Sequence, residues 1–224
     1  MERNTRCDSI TEHTKGSYLR IRIGFVIVIF SFCLPQIANS GWGWLMFHER
    51  SFKGKVIDTE TKEPIEGAVI VAQYYIRVLG PTHSHSTLTD VQEGLTANNG
   101  EFFVPSLTRL IHPLSVGDKT FFMIWKPGYK REEVKDSYFF TKEPGVVENL
   151  AVQTERGFEM KPVRLGIVEL LRLKTKEERR KELVDPVGEK DDWKKQKQLI
   201  KLIREEWEYI TGRHAEDLYK IEEN

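Results

Sequence analysis

The stretch at residues 68–79 constrains the fold of this chain most strongly. Its sequence, AVIVAQYYIRVL, is rich in β-branched and aromatic residues and contains neither glycine nor proline, which is typical of a β-strand. Its first five residues are apolar without alternation, so we expect both faces of this strand to be buried. The sequence therefore predicts a sheet in which this strand occupies a central position.

Short β-rich runs separated by turn signals extend over residues 51–165, with no helical period longer than two turns. The turn signal Asn98-Asn99-Gly100 predicts a hairpin, because Asn and Gly tolerate positive φ. This pattern favours a mainly β fold, a seven-stranded Greek-key sandwich, over an open sheet. The predicted hairpin joins the strand candidates 87–96 and 101–105. The other strand candidates are 52–56, 120–126, 137–140 and 158–165.

Three segments in register resemble the carboxypeptidase regulatory-like domain family. Residues 52–71, FKGKVIDTETKEPIEGAVIV, resemble its first strand, turn and second strand. Residues 95–105, LTANNGEFFVP, resemble its T-D-x-x-G-x-F hairpin, with Ala97 where an aspartate is usual, and WKPGY at 125–129 resembles its P-G-Y strand end. The resemblance implies a transthyretin-like sandwich over 51–165 and a non-catalytic role, since such domains accompany peptidases or occur in exported bacterial proteins.

Residues 1–40 have the layout of a secretory signal peptide. Basic residues precede an apolar run at 23–34, which is shorter than the roughly twenty residues needed to span a bilayer. Pro35 follows the run, and Ala38 and Ser40 place small residues at positions −3 and −1 of a cleavage site. The sequence predicts export to the periplasm or the extracellular space. An uncleaved helix anchored in the inner membrane is the alternative.

Charge and cysteine usage exclude several classes of protein. The 34 basic residues are balanced by 34 acidic residues, so no global charge favours nucleic acid, and no nucleic-acid partner is expected. The two cysteines, Cys7 and Cys33, both lie in the predicted leader. The exported chain would therefore contain no thiol and no disulfide. No cofactor is predicted, and membrane contact is expected only through the N-terminal segment if that segment is not cleaved.

Residues 166–224 predict a charged helical extension. Thr175 and Glu178 fit a capping box that opens a helix at 176–183, and a longer helix beginning near Asp191 is expected to stop at Gly212. We expect the apolar stripe of that longer helix to pack against the sandwich, with docking of a partner protein or of a membrane surface as the alternative. The stripe consists of Trp193, Ile200, Ile203, Trp207 and Ile210.

Three histidines are candidate metal ligands. His83 and His85 are separated by one residue, so their imidazoles project to the same side of an extended segment and could reach one metal ion. His112, in the 106–116 loop, is the candidate third ligand. A solvated polar loop is the alternative interpretation of all three.

Four aromatic residues are candidate contacts for a partner or a sugar. Trp42 and Trp44 lie in the aromatic segment at 41–50, which could instead form a buried edge strand. Tyr74 and Tyr75 lie on the central strand, where aromatic residues more often belong to the core.

The sequence favours a non-catalytic exported module of the cell envelope with a binding or structural role, whose partner would be an envelope protein or a glycan. The alternative is a carbohydrate- or metal-binding module that uses the loop carrying His83 and His85. A small hydrolase at the loop end of the sandwich is the third possibility. No catalytic residue is predicted, because the sequence contains no Gly-x-Ser-x-Gly nucleophile elbow.

Overall fold

A computed structural model of the chain describes residues 45–154, 157–215 and 218–219. The described part is mainly β with short helices toward its C-terminal end, which confirms the predicted class. The predicted leader at 1–40, Trp42 and Trp44 lie outside the described residues. The strands are β1 (Met46–Glu49), β2 (Phe52–Asp58), β3 (Val69–Leu79), β4 (Ser84–Leu95), β5 (Glu101–Val104), β6 (Leu107–Leu110), β7 (Ser115–Trp125), β8 (Glu132–Val134), β9 (Val147–Thr154), β10 (Gly157–Arg164) and β11 (Ile167–Leu170).

The strands form two larger sheets and two hydrogen-bonded pairs. The larger sheet has the order β4–β3–β7–β8 and is antiparallel throughout, so β3 is central as its sequence predicts. A three-stranded sheet has the order β11–β2–β5, in which β11 runs parallel to β2. Strand β1 pairs with β6, and β9 pairs with β10.

The main core lies between the three-stranded sheet and the four-stranded sheet. Alternate residues of β3, among them Ile70 and Tyr74, pack with Val56 of β2. The rings of Phe52 and Phe122 meet edge to face across the two sheets, with ring centroids 4.8 Å apart. Full burial of one such side chain contributes about 1.5–3 kcal/mol to the free energy of unfolding. This shared core is therefore the main source of the stability of the fold.

The predicted hairpin between 87–96 and 101–105 is wrong, although its turn is present. Strand β4 pairs with β3 whereas β5 pairs with β2, so the turn carries the chain from one sheet to the other. At Gly100 φ is +76°, and a Cβ there would lie 2.5 Å from the Val56 carbonyl oxygen. The crossing is favoured because Phe102 and Val104 then fill the core from the side opposite β3.

Two further predictions about short segments are wrong. Residues 137–140 form a 3-10 helix, Ser137–Phe140, rather than a strand, because the Asp136 side chain caps the Tyr138 N–H at 2.9 Å.

Strand β11 lies in the segment predicted as the helical extension, so the β structure continues to Leu170. That strand was hidden by its length of four residues, of which only Val168 and Leu170 are buried.

The C-terminal helices are α1 (Lys176–Lys181), α2 (Lys190–Trp193) and α3 (Lys197–Thr211). The capping box of Thr175 and Glu178 and the left-handed cap at Gly212, with φ of +68°, are confirmed. The single long helix predicted from Asp191 is wrong, since the chain leaves helical geometry at Gln196. The buried Gln196 side chain accepts the Val187 N–H at 2.9 Å and donates to the Val187 carbonyl at 2.7 Å, which fixes the break.

Helix α3 covers the outer face of the four-stranded sheet. Its Leu199 and Ile203 are fully buried against Val69, Val71 and Trp125 of β3 and β7, in a second apolar cluster. The predicted packing of the helix on the sandwich is therefore confirmed for Ile203. The stripe itself differs from the prediction, since Leu199 joins the contact and Trp193 lies against the Tyr219 ring instead. Among the described residues, no helix has the length and apolar character that crossing a membrane requires.

Candidate functional site

The three candidate metal ligands lie at one end of the four-stranded sheet but on different sides of β3. His85 is on β4, opposite Val78, and His83 is in the turn that precedes β4. His112 lies before β7, on the other side of β3. Strands β4 and β7 are about 9.6 Å apart, twice the strand spacing. In the part of the chain that the structure describes, no three His, Cys, Asp or Glu side chains form a group that could hold a metal ion.

The two strand tyrosines lie on opposite faces of β3. Tyr74 is 0% exposed, packs in the main core and donates its hydroxyl to Gln92 at 3.0 Å, so the prediction that it contacts a sugar or partner is wrong. Burial raises the pKa of its phenol above the ordinary value. Tyr75 is half-buried on the outer face, edge to face with Phe121 at 5.3 Å. Part of the Tyr75 side chain remains exposed, so its contact with a sugar or partner stays a prediction.

The residues that carry the family resemblance stabilise turns in the structure. The Asp58 carboxylate accepts the N–H groups of Glu60 at 2.8 Å and Thr61 at 3.0 Å, forming the turn after β2. The hydrogen bond from Thr61 is the largest effect that holds the pKa of the Asp58 carboxyl below its usual value. The Tyr129 hydroxyl also donates to Asp58, and burial raises the pKa of that phenol. This cluster is a structural support for two turns.

The Pro127-Gly128 turn is held by the C-terminal extension. Glu206 of α3 is buried, and its carboxylate receives a two-pronged hydrogen bond from Arg179, with Nε to Oε1 at 2.6 Å. The Gly128 N–H donates to the same carboxylate at 3.3 Å. Arg179 also lies over the Tyr209 ring, 3.9 Å from its centroid, and its hydrogen bond to Glu206 raises its pKa. This ion pair, in which Glu206 is buried and Arg179 is partly exposed, stabilises the extension on the sheet.

A concave groove lies at the outer side of the three-stranded sheet. We call it the Phe103 groove; it has a cavity volume of about 520 Å³. The side chains that give it its character are Lys53, Leu95, Glu101, Phe103, Glu143 and Pro144.

Local structure explains why the Phe103 groove is open. Lys53 and Phe103 are direct partners on β2 and β5, and both point away from the core. Gly54 forms part of the floor, where a Cβ would lie 2.5 Å from the Phe102 ring and 3.0 Å from the Gly166 carbonyl oxygen. A larger residue at Gly54 would displace that ring. The floor is therefore fixed by packing.

The chemistry of the groove combines one exposed aromatic ring with charges of both signs. Phe103 is 54% exposed and Leu95 is 43% exposed, so apolar surface faces solvent. Lys53 lies on one strand, and Glu101 and Glu143 supply carboxylates along the same cavity. Such a mixture suits recognition of a ligand that offers both an apolar group and charges. Sequence reasoning missed the groove because four separate segments build it. The adjacent pair Phe102-Phe103, one ring of which must face outward, was the available signal.

No family model matches this sequence, and no curated protein and no solved structure matches it either.

Proposed function

We propose that this chain is an exported, non-catalytic binding module of the cell envelope. The proposed scaffold is a transthyretin-like sandwich, for which the three-stranded and four-stranded sheets supply seven strands around one core. The resemblance to carboxypeptidase regulatory-like domains supports this scaffold, since Gly54 and Asp58 of the first resembling segment occupy tightly constrained positions. In this proposal the sandwich holds the Phe103 groove open for a partner.

The exposure of Phe103 is the observation that carries the proposal. A phenyl ring that is 54% exposed in a concave site loses much of its contact with water when a partner covers it. Lys53 and Glu101 flank the ring, so a partner with one apolar group between charged groups would complement the groove. Polypeptide segments commonly have this pattern. We therefore favour an envelope protein as the partner over a glycan.

Site-specific photo-crosslinking in cells tests the binding surface. A benzophenone analogue of phenylalanine replaces Phe103 in the full chain, and the matched control places the same analogue at Phe158, which is 76% exposed on β10. We expect one discrete protein adduct from position 103 and none from position 158. The absence of an adduct at 103, or the same adducts from both positions, would contradict the proposed site. An adduct that disappears after treatment with glycosidases would identify the partner as a glycan instead of a protein.

Export is tested separately on the same cells. The protein recovered from the envelope fraction should begin at Gly41, as cleavage after Ser40 requires, or at Met1 if the leader is retained as an anchor. Recovery of the unprocessed chain only from the cytoplasmic fraction would overturn the export part of the proposal. The crosslinking result would still stand, because it depends only on the groove.

A further inference from the structure

Strand β4 is an outer strand of the four-stranded sheet, and its edge is unprotected over residues 84–88. We call this stretch the 84–88 edge. A free sheet edge offers N–H and C=O groups to another strand, and natural proteins normally prevent such pairing with charged side chains, prolines, bulges or very short strands. The sequence SHSTL at 84–88 contains no Asp, Glu, Lys, Arg or Pro, and it pairs with β3 without a bulge.

The hydrogen bonds of β3 show which backbone groups of the 84–88 edge point outward. The Leu79 N–H donates to the Leu114 carbonyl at 2.8 Å, on the β7 side, so the pair that Leu79 forms with Ser84 of β4 lacks mutual hydrogen bonds. Because the two kinds of pair alternate in an antiparallel ladder, the N–H and C=O groups of Ser84, Ser86 and Leu88 point away from β3. Within the described part of the chain, nothing forms a hydrogen bond with these outward groups.

Protection of the same strand begins at the next residue. Thr89 has no partner on β3, which marks a bulge, and its carbonyl accepts a hydrogen bond from Arg109. Asp90 follows, and its carboxylate binds Arg109 at 3.3 Å and Lys195 as well. A bulge and two cations therefore protect β4 from Thr89 onward, whereas the 84–88 edge has neither.

The opposite edge of the same sheet is also protected. Strand β8 is only 3 residues long, and two of them are glutamates. Arg131 and Lys135 flank this strand. Short length and charge both disfavour pairing with another chain. Among the described strands of this sheet, the 84–88 edge is thus the stretch whose chemistry suits the addition of another strand.

We infer that the 84–88 edge pairs with the 84–88 edge of a second copy of this chain, which joins two four-stranded sheets across a two-fold axis. In antiparallel pairing with Ser86 on the axis, Ser86 lies opposite itself and Ser84 lies opposite Leu88 of the second copy. All the outward groups then meet in phase, which gives about six backbone hydrogen bonds. This inference goes beyond the proposed function and does not depend on the Phe103 groove.

A second copy also complements this edge on the outer face of the sheet. Leu79 is 47% exposed beside its partner Ser84. In the proposed register Leu79, Ser84 and Leu88 of the second copy lie in one row across the joined sheet, because directly paired residues share a face. The small Ser84 side chain leaves room for the two leucines to approach one another. No like charges face each other, since 84–88 contains no Asp, Glu, Lys or Arg.

The short length of the joined stretch sets the strength of the dimer. The strand residues 84–88 extend over about 17 Å. The interface is therefore smaller than the roughly 800 Å² that each partner buries in a stable complex of standard size. We expect a reversible dimer that forms at micromolar concentrations of the protein.

Disulfide mapping tests both the pairing and its register. Ser86→Cys and the matched control Ser84→Cys are each made in a full chain that also carries Cys7→Ser and Cys33→Ser. Both serines are exposed, and their side chains lie on the same face of β4. In the proposed register the Cα atoms of the two copies of position 86 are about 5.5 Å apart, within reach of a disulfide. Those of position 84 are about 14 Å apart.

We expect mild oxidation of the purified protein to cross-link position 86 into a covalent dimer at least about tenfold faster than position 84. Equal rates at the two positions, as association through another surface would give, would overturn the inference, and so would the absence of a dimer from position 86. A disulfide adduct of position 86 with a different protein in cells, from a chain that is monomeric when purified, would assign the edge to that protein and overturn the pairing of two copies.

Sedimentation equilibrium of two further variants tests the role of the backbone. Ser86→Pro removes an outward N–H, whereas Ser86→Ala keeps it and removes only the hydroxyl, which donates to Asp118. We expect the proline substitution to raise the dissociation constant of the dimer at least about tenfold and the alanine substitution to leave it within about twofold. Equal dissociation constants for the two variants would contradict the pairing. Circular dichroism shows whether the proline variant is folded, and the cysteine comparison decides the outcome if it is not.

Discussion

The two ends of β3 have very different surroundings. At its start, Val69 and Val71 are 0% exposed because α3 covers the outer face of the sheet with Ile203. At its end, Leu79 is 47% exposed. The sequence of β3 reflects this difference, since its first residues are apolar on both faces whereas polar residues alternate later on. A strand that is apolar on both faces needs a cover, and here the C-terminal extension of the same chain provides it.

The cover is attached through polar contacts as well as apolar packing. Glu93 of β4 accepts the N–H groups of Gln198 at 2.9 Å and Leu199 at 3.2 Å, so a carboxylate of the sheet caps the start of α3. At the other end of the helix, Glu206 binds Arg179 and the Gly128 N–H. These contacts make the extension an integral part of the fold. Leu79, at the other end of β3, stays 47% exposed.

The largest expected effect comes from removing apolar contact at the covered end. Ile203→Ala should lower the free energy of unfolding by about 2–5 kcal/mol, because it leaves a cavity between α3 and the sheet. The matched change at the open end of β3, Leu79→Ala, should alter stability by only about 0.5 kcal/mol. Urea unfolding of both variants measures the difference. Equal losses would contradict the distinction between the two ends.

The next largest effect concerns the buried carboxylate of the cover. Glu206→Ala should lower the free energy of unfolding by about 2–3 kcal/mol, because Arg179 and the Gly128 N–H then lose a charged hydrogen-bond partner. The control is Glu205→Ala, which removes only an exposed pair with Lys201 at 3.9 Å and should cost less than about 1 kcal/mol. The same unfolding measurement applies. A Glu206→Ala variant as stable as the control would show that the ion pair does not attach the extension.

A smaller effect is expected at the capped start of α3. Glu93→Ala should destabilise the protein by about 1 kcal/mol, the usual cost of losing a helix N-cap. Glu93→Gln keeps an oxygen acceptor and should lose only part of that stability. Thermal unfolding of the two variants tests the order. An alanine variant no less stable than the glutamine variant would contradict a capping role.

The smallest effect is a dependence on pH in the turn that follows β2. Because hydrogen bonds lower the pKa of the Asp58 carboxyl in the folded state, its ionised form stabilises the fold above the unfolded-state pKa of about 4. This contribution disappears as the pH falls through the folded-state pKa. Asp58→Asn keeps an acceptor oxygen but does not titrate, so it should lose less stability than the parent on acidification. Unfolding curves with parallel acid dependence would contradict this role of Asp58.

Much of the fold could be predicted from local sequence signals. The central position of β3 followed from its apolar run, and the capping box at Thr175 and the stop at Gly212 followed from helix-end chemistry. The pairing of β5 could not be predicted, because a turn such as the one at Gly100 does not specify which sheet the next strand joins. The break at Gln196 depends on a buried hydrogen bond to Val187, which lies outside the helix.

The candidate site was less accessible to sequence reasoning than the fold. The motif His83-x-His85 is easily recognised as a candidate metal site because its two histidines are close in sequence. In the structure, however, β3 lies between these histidines and the candidate third ligand, His112. The Phe103 groove combines residues from β2, β4, β5 and the loop at 143–144, and their proximity is set by tertiary packing alone. The adjacent pair Phe102-Phe103 indicates that one ring faces outward, but the sequence does not show which of the two it is.

The most direct test of this account is amide hydrogen exchange along β3 in the full chain. The account predicts that amides of residues 69–72 exchange slowly, because the cover belongs to the chain itself. The Thr82 and His83 amides, in the turn that follows β3, should exchange rapidly. Exchange at 69–72 that is as rapid as at Thr82 and His83 would contradict the account.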